Sequence, residues 1–271
     1  MSITFSSCFY ILKSKFEKET YVEWMNNFIS IVHKFNLVIY TDKKSFPFIN
    51  TRENPNIKVI IKEVNKFYNF KYKDHWISNH RKNVFLNEAS SHNTDWKLNM
   101  LWSEKVWFVN ETAAQKYFDT EFYGWCDIGY FRNSAGDVDT SILKNWPNPT
   151  IIEMLNKSKI HYACIQNDDR YLQSLSKLIN HRNLLDLPIN PIPPNQQSVA
   201  GGFFIIHRGK VNWWASCYDQ KLKTYLINDC LVKDDQIILI DCIFSNEEDF
   251  ALYREKNPRF NNWFMFQRIL S

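Results

Sequence analysis

The chain has 271 residues, 45% of them hydrophobic and 23% charged, with 33 basic against 29 acidic side chains and a net charge of +4. That balance suits a folded protein with a sizeable core and excludes a disordered chain. The basic residues form no block, so no nucleic-acid partner is expected, although a mildly positive protein favours phosphates locally. The 6 glycines spell neither GxGxxG nor GxxxxGK, which removes a Rossmann dinucleotide fingerprint and a P-loop. The 6 cysteines are dispersed without a CxxC pair, the pattern of a reducing, cytoplasmic setting and no zinc site. No apolar run reaches about 18 residues, so no membrane span is expected, and the N-terminus lacks a signal-peptide pattern. The 16% aromatic content has two readings, sugar stacking and core filling, and core filling is favoured.

Ile3 to Leu12 reads as a buried strand, followed by a helix in which Tyr21, Trp24, Met25, Phe28, Ile31, Val32 and Phe35 form one apolar face. Asn36–Thr41 and Ile57–Ile61 are short apolar strands, which together with the helix predict an α/β sheet. Residues 66–95 suggest short helices, and Lys97–Tyr117 a longer one carrying Leu98, Leu101, Trp102, Val106, Val109 and Ala113 on its apolar side. Strands follow at Phe122–Cys126 and Ile160–Gln166, the second ending in the acidic turn Asn167-Asp168-Asp169. The segment 187–198 holds 4 of the 9 prolines and reads as a long functional loop inside one domain. Ala200–Ile206 is a further strand, with helices around 210–227 and 234–245. The aromatic tail Asn262–Phe266 offers a patch for a homodimer.

Four motifs carry candidate chemistry. Asp127 leaves an apolar strand two residues before Gly129, where open α/β sheets bind ligands. Its carboxylate suits a divalent cation, but an Asp-x-Gly turn explains the same spacing. Tyr40-Thr41-Asp42 likewise ends a strand, as a nucleoside cradle or an ordinary turn. Gly201 and Gly202 enter a strand where something must approach the backbone closely, a sugar ring or a neighbouring helix. That strand ends at His207, a metal ligand or a structural histidine. Asp234-Asp235-Gln236 opens a helix, so one acid caps it and the other is free to act as a general base. Lys105 sits on the polar edge of its helix, reaching a phosphate or lying in water.

In this order, Tyr40-Thr41-Asp42, Lys105, Gly124-Trp-Cys-Asp-Ile-Gly-Tyr-Phe-Arg132, Ala200-Gly-Gly-Phe-Phe204 and Asp234-Asp235-Gln236 resemble the HtrL/YibB (WlaTC-like) glycosyltransferase family, over residues 3–266. The resemblance implies a GT-A-like fold: one Rossmann-like domain with a mixed sheet flanked by helices. Residues 1–132 would form its nucleotide-sugar donor half and 133–271 its acceptor half. It implies transfer of a sugar from a nucleotide-diphosphate donor, a UDP-sugar first among the candidates, to a glycan or lipid-linked acceptor. Tyr40, Thr41 and Asp42 would face the nucleoside, Lys105 and Arg132 the phosphates, and Gly129, Gly201 and Gly202 the bound donor. Asp127, helped by His207, would hold Mn²⁺ or Mg²⁺. Asp235 would be the base of an inverting reaction, with Asp234 as the helix cap. The Asp-x-Asp metal signature of GT-A transferases is Asp127-Ile128-Gly129 here, keeping the first acid and replacing the second, which leaves the metal geometry open and keeps metal-free phosphate binding, a retaining transferase and a non-catalytic glycan binder as alternatives.

Overall fold

The computed structural model of the chain describes residues 2–87 and 94–271; residues 88–93 of the predicted short-helix stretch lie outside them. The strands are β1 Ile3–Phe9, β2 Asn36–Thr41, β3 Ile57–Ile61, β4 Phe122–Cys126, β5 Ile160–Cys164, β6 Val199–His207 and β7 Phe250–Tyr253. The helices are α1 Lys18–Ser30, α2 Lys73–Lys82, α3 Val84–Asn87, α4 Trp96–Ala114, α5 Pro149–Glu153, α6 Asp169–Asn180, α7 Val211–Ile227, α8 Asp235–Ser245 and α9 Phe266–Ile269.

All seven strands form one sheet in the order β3-β2-β1-β4-β6-β5-β7. β6 runs antiparallel to both of its neighbours, and the other pairs are parallel. The sheet crosses the expected half-boundary at 132, because β4 pairs with β6. Strands buried on both faces read as unbroken apolar runs, and β2 is buried at every position. The two-residue period then sorts its side chains. Val38 and Tyr40 join the core beneath α2, α4, α6, α7 and α8, while Leu37 and Ile39 join the opposite core with α1, α5 and α9. The fold is therefore a mixed α/β sheet flanked by helices, the architecture that the resemblance implies.

Four features depart from expectation. α6 and β7 go unanticipated. Asp168 is no mere acidic turn; it caps α6 by accepting hydrogen bonds from Arg170 N at 2.8 Å and Tyr171 N at 3.3 Å. The proline-rich connection leaves the cleft described below untouched and instead buries Leu187 and Ile192 in the larger core. The tail aromatics form no exposed patch, since Phe266 is fully buried and Trp263 and Phe264 are half-buried.

β4 is central, and Gly124 is tight within it. A β-carbon there would lie 2.5 Å from the Phe204 carbonyl oxygen on β6 and 2.9 Å from the Phe5 ring. Backbone of a paired strand cannot retreat cheaply, so Gly124→Ala is expected to destabilise the fold by about 3 kcal/mol, measured by urea denaturation.

Candidate active site

After β1 the chain builds β2 and β3 on one side, then returns to lay β4 on the other side of β1. Such a reversal opens a crevice at the carboxyl ends of the two diverging strands. A cleft of about 540 Å³ lies there, walled by the residues that follow β1 and β4, by the start of β6, by α4 and by the first turn of α8. The volume is that of a small-molecule site.

Lys105 is the centre of this cleft. It does not sit in water on a polar helix edge, because α4 is packed between the sheet and α2 and α7 and buries polar residues too. Its side chain is only 9% exposed, and its Nζ lies 3.1 Å from Asp127 Oδ1 and 3.1 Å from Asp235 Oδ2. It also donates to the Gly201 carbonyl at 3.0 Å. Burial alone would lower the ammonium's pKa; Asp127 and then Asp235 more than offset this and hold it above its ordinary value. The neighbouring Glu104 serves structure. It accepts from Tyr68 N at 2.6 Å and Asn69 N at 3.0 Å, and burial pushes its carboxyl up to about 7.

Asp127 follows the last residue of β4. Its Oδ1 accepts from Trp125 Nε1 at 2.6 Å, and its backbone N–H donates to the Gly202 carbonyl at 2.8 Å. Asp234 caps α8 by accepting from Gln236 N at 3.2 Å, and Lys233 Nζ lies 2.8 Å from its other oxygen. Asp235, in the first turn of α8, is buried against the cleft floor. Burial pushes its carboxyl up to about 6, with Lys105 pulling the other way and Asp234 and Asp127 adding to the rise. A buried carboxyl near neutrality, open to a cleft, is a general-base candidate.

The glycines explain themselves differently from expectation. Tyr162 pairs with Phe204 and Cys164 with Val199, so two steps along β5 match five along β6. The bulge that absorbs the difference contains Gly201 and Gly202. A β-carbon on Gly201 would lie 2.8 Å from Asp235 Oδ2, and one on Gly202 would lie 3.0 Å from Asp127 Oδ2. It is therefore the two carboxylates that need the missing side chains. Gly201→Ala is expected to push Asp235 out of register and lower turnover by about 100-fold, read as kcat with the melting temperature as control. Gly129 borders the cleft, but its missing β-carbon makes room for Trp24, whose ring would lie 2.6 Å away.

Several expected residues stand elsewhere. Tyr40 is fully buried, stacked on Phe108 at 4.5 Å with its hydroxyl 2.9 Å from Thr112 Oγ1. Thr41 donates to the Phe9 carbonyl at 2.7 Å, and Asp42 Oδ1 accepts from Ser45 N at 2.7 Å. None of the three lines the cleft. His207 lies at the far end of β6, opposite Phe122, because β6 runs antiparallel to β4. That separates it from Asp127 by five strand positions, roughly 16 Å, and its Nε2 faces Glu121 at 3.6 Å. Arg132 does line the cleft. Its guanidinium lies 4.2 Å from the Trp24 ring centre and 4.8 Å from that of Phe264, and its Nε donates to the Gly129 carbonyl at 2.8 Å. Lys15, which the sequence did not single out, lies 4.9 Å above Trp102 on the opposite wall. No motif surrounds it; only its place after β1 marked it.

A family model described as "Bacterial protein of unknown function (HtrL_YibB)" matches residues 12–270. The chain belongs to the HtrL_YibB family. No curated protein matches it. Among solved structures, this family member is similar to the apo crystal structure of mouse xyloside xylosyltransferase 1, at 10% identity and a TM-score of 0.47, covering 93% of this chain and 85% of that one. Among the described residues, no helix is long and apolar enough to cross a membrane.

The expected Mn²⁺ or Mg²⁺ does not fit this donor set. Such ions take oxygen ligands at about 2.0–2.6 Å, and here Asp127 Oδ1, Asp235 Oδ2 and the Gly201 carbonyl already converge on Lys105 Nζ. A divalent ion on the same oxygens would lie against a like charge in a poorly screened site. Among the described residues, no group of three or more His, Cys, Asp or Glu side chains could hold a metal.

Proposed function

We propose that this chain is an inverting glycosyltransferase that moves a sugar from a nucleotide-diphosphate donor to a hydroxyl of a glycan or glycolipid. The observation that carries the reading is Asp235: a buried carboxyl at about 6, held by Lys105 at the floor of a cleft at the sheet's reversal point. The acceptor oxygen attacks the anomeric carbon as that carbon's bond to the diphosphate oxygen breaks. The hydroxyl proton passes to Asp235, and the diphosphate leaves with the electron pair. Lys105 steers the carboxylate toward the acceptor and keeps its charge tolerable in a dry site. Asp127, tethered by Trp125 and Lys105, fixes Lys105 in turn.

The test is turnover of a panel of nucleotide-sugars, UDP-sugars first, with glycan and glycolipid acceptors, followed by NMR of the product's anomeric centre. Acceptor-dependent transfer with inversion is expected. Retention would overturn the base assignment, and release of free sugar regardless of acceptor would indicate a hydrolase.

A further inference from the structure

The ion pairs around the cleft are unevenly shared. Asp127 and Asp235 share Lys105, and Asp234 has Lys233. Two cations lining the same cleft, Lys15 and Arg132, form no ion pair among the described residues. Within the lining, Lys15, Lys105 and Arg132 face Asp127, Asp234 and Asp235, and Lys233 pairs with Asp234 from outside it. Lys15 rests on Trp102 of α4, whereas Arg132 rests on Trp24 of α1 and on Phe264. α4 and α1 pack on opposite faces of the sheet, so the two cations flank the end of β4 that carries Asp127. Burial lowers the pKa of both side chains, with Asp234 opposing the shift at Lys15 and Asp127 opposing it at Arg132. Cations disfavoured in this way gain from an arriving anion.

We propose that this cleft binds a diphosphate without a divalent cation: Lys105 occupies the metal's place between the carboxylates, and Lys15 and Arg132 receive the phosphate oxygens from opposite walls. The proposal rests on the donor-site reading above. Arg132 suits the role, since its Nε is spent on Gly129 while its two terminal nitrogens remain to pair with phosphate oxygens.

The experiment is calorimetric titration of the full chain with inorganic pyrophosphate, UDP and GDP, first in EDTA and then with saturating Mn²⁺. At least one ligand is expected to bind in EDTA, with Mn²⁺ changing its affinity by less than about threefold, and Lys15→Gln and Arg132→Gln each weakening it about tenfold. Melting temperatures of the variants confirm that they fold. Binding seen only with Mn²⁺ would overturn this inference and leave the donor site standing. Binding in EDTA that neither variant weakens would overturn the roles of Lys15 and Arg132. No binding under either condition would overturn the donor-site reading as well.

Discussion

Asp235→Asn is expected to lower sugar-transfer turnover by about 10³-fold while leaving nucleotide affinity within a few-fold. Asn keeps the shape and the place in the first turn of α8 but cannot accept the acceptor's proton. Asp234→Asn is the contrasting variant. An Asn side chain caps a helix as well as Asp does, so the bond to Gln236 N survives and turnover should stay within severalfold. The opposite pattern would make Asp234 the base. The wild-type pH profile follows from the same group. Asp235 acts deprotonated, and burial has pushed its carboxyl up to about 6. The profile of kcat/KM should therefore rise with pH, be half-maximal near that value and level off above it. In Asp235→Asn this limb should vanish from the residual activity.

Lys105→Met is expected to be the most destabilising single change in the cleft, by about 3–5 kcal/mol near neutral pH. Methionine fills much of the same volume, so the loss is one of charge rather than packing. Asp235 would then be buried beside Asp127 and Asp234 without the cation that lowers its pKa. The sign of the pH dependence follows. The carboxyl of Asp235 is raised on folding, so its contribution is fully present below its unfolded pKa and is lost as pH rises through the folded value. Removing Lys105 raises that folded value further. The deficit should consequently be small at about pH 5 and large at about pH 8, as measured by urea denaturation at both. A pH-independent deficit would mean that Lys105 acts through packing alone.

Much of the fold is written in the chain's local pattern. The apolar runs of β1, β2, β4 and β6 and the helical spacing of α1 and α4 are strong because each element buries a whole face or both faces. α6 carries the same signal in Leu172, Leu175 and Ile179, all buried, but its remainder is polar and Asp168-Asp169 has the composition of a turn. β7 has four residues, too few for a period to register, and exists because β5 offers it an edge.

The site divides along a different line. Sequence by itself placed Asp127 at the end of a strand and Asp234-Asp235 at the start of a helix, since strand ends and caps are local events governed by a few neighbouring residues. It also marked Gly201 and Gly202 as points of close approach. Only the tertiary structure decided what approaches them, because the carboxylates of Asp235 and Asp127 arrive from distant segments. The same holds for Lys105, whose apparent polar edge becomes a buried junction once α7 covers α4. Tyr40 leaves the candidate nucleoside wall because α4 lies over its face of the sheet, and His207 leaves the metal site because β6 runs antiparallel to β4. Periodicity tells which residues share a face. Strand direction, strand order and the partner of a buried charge are set by contacts between segments far apart in the chain, and no local spacing encodes them.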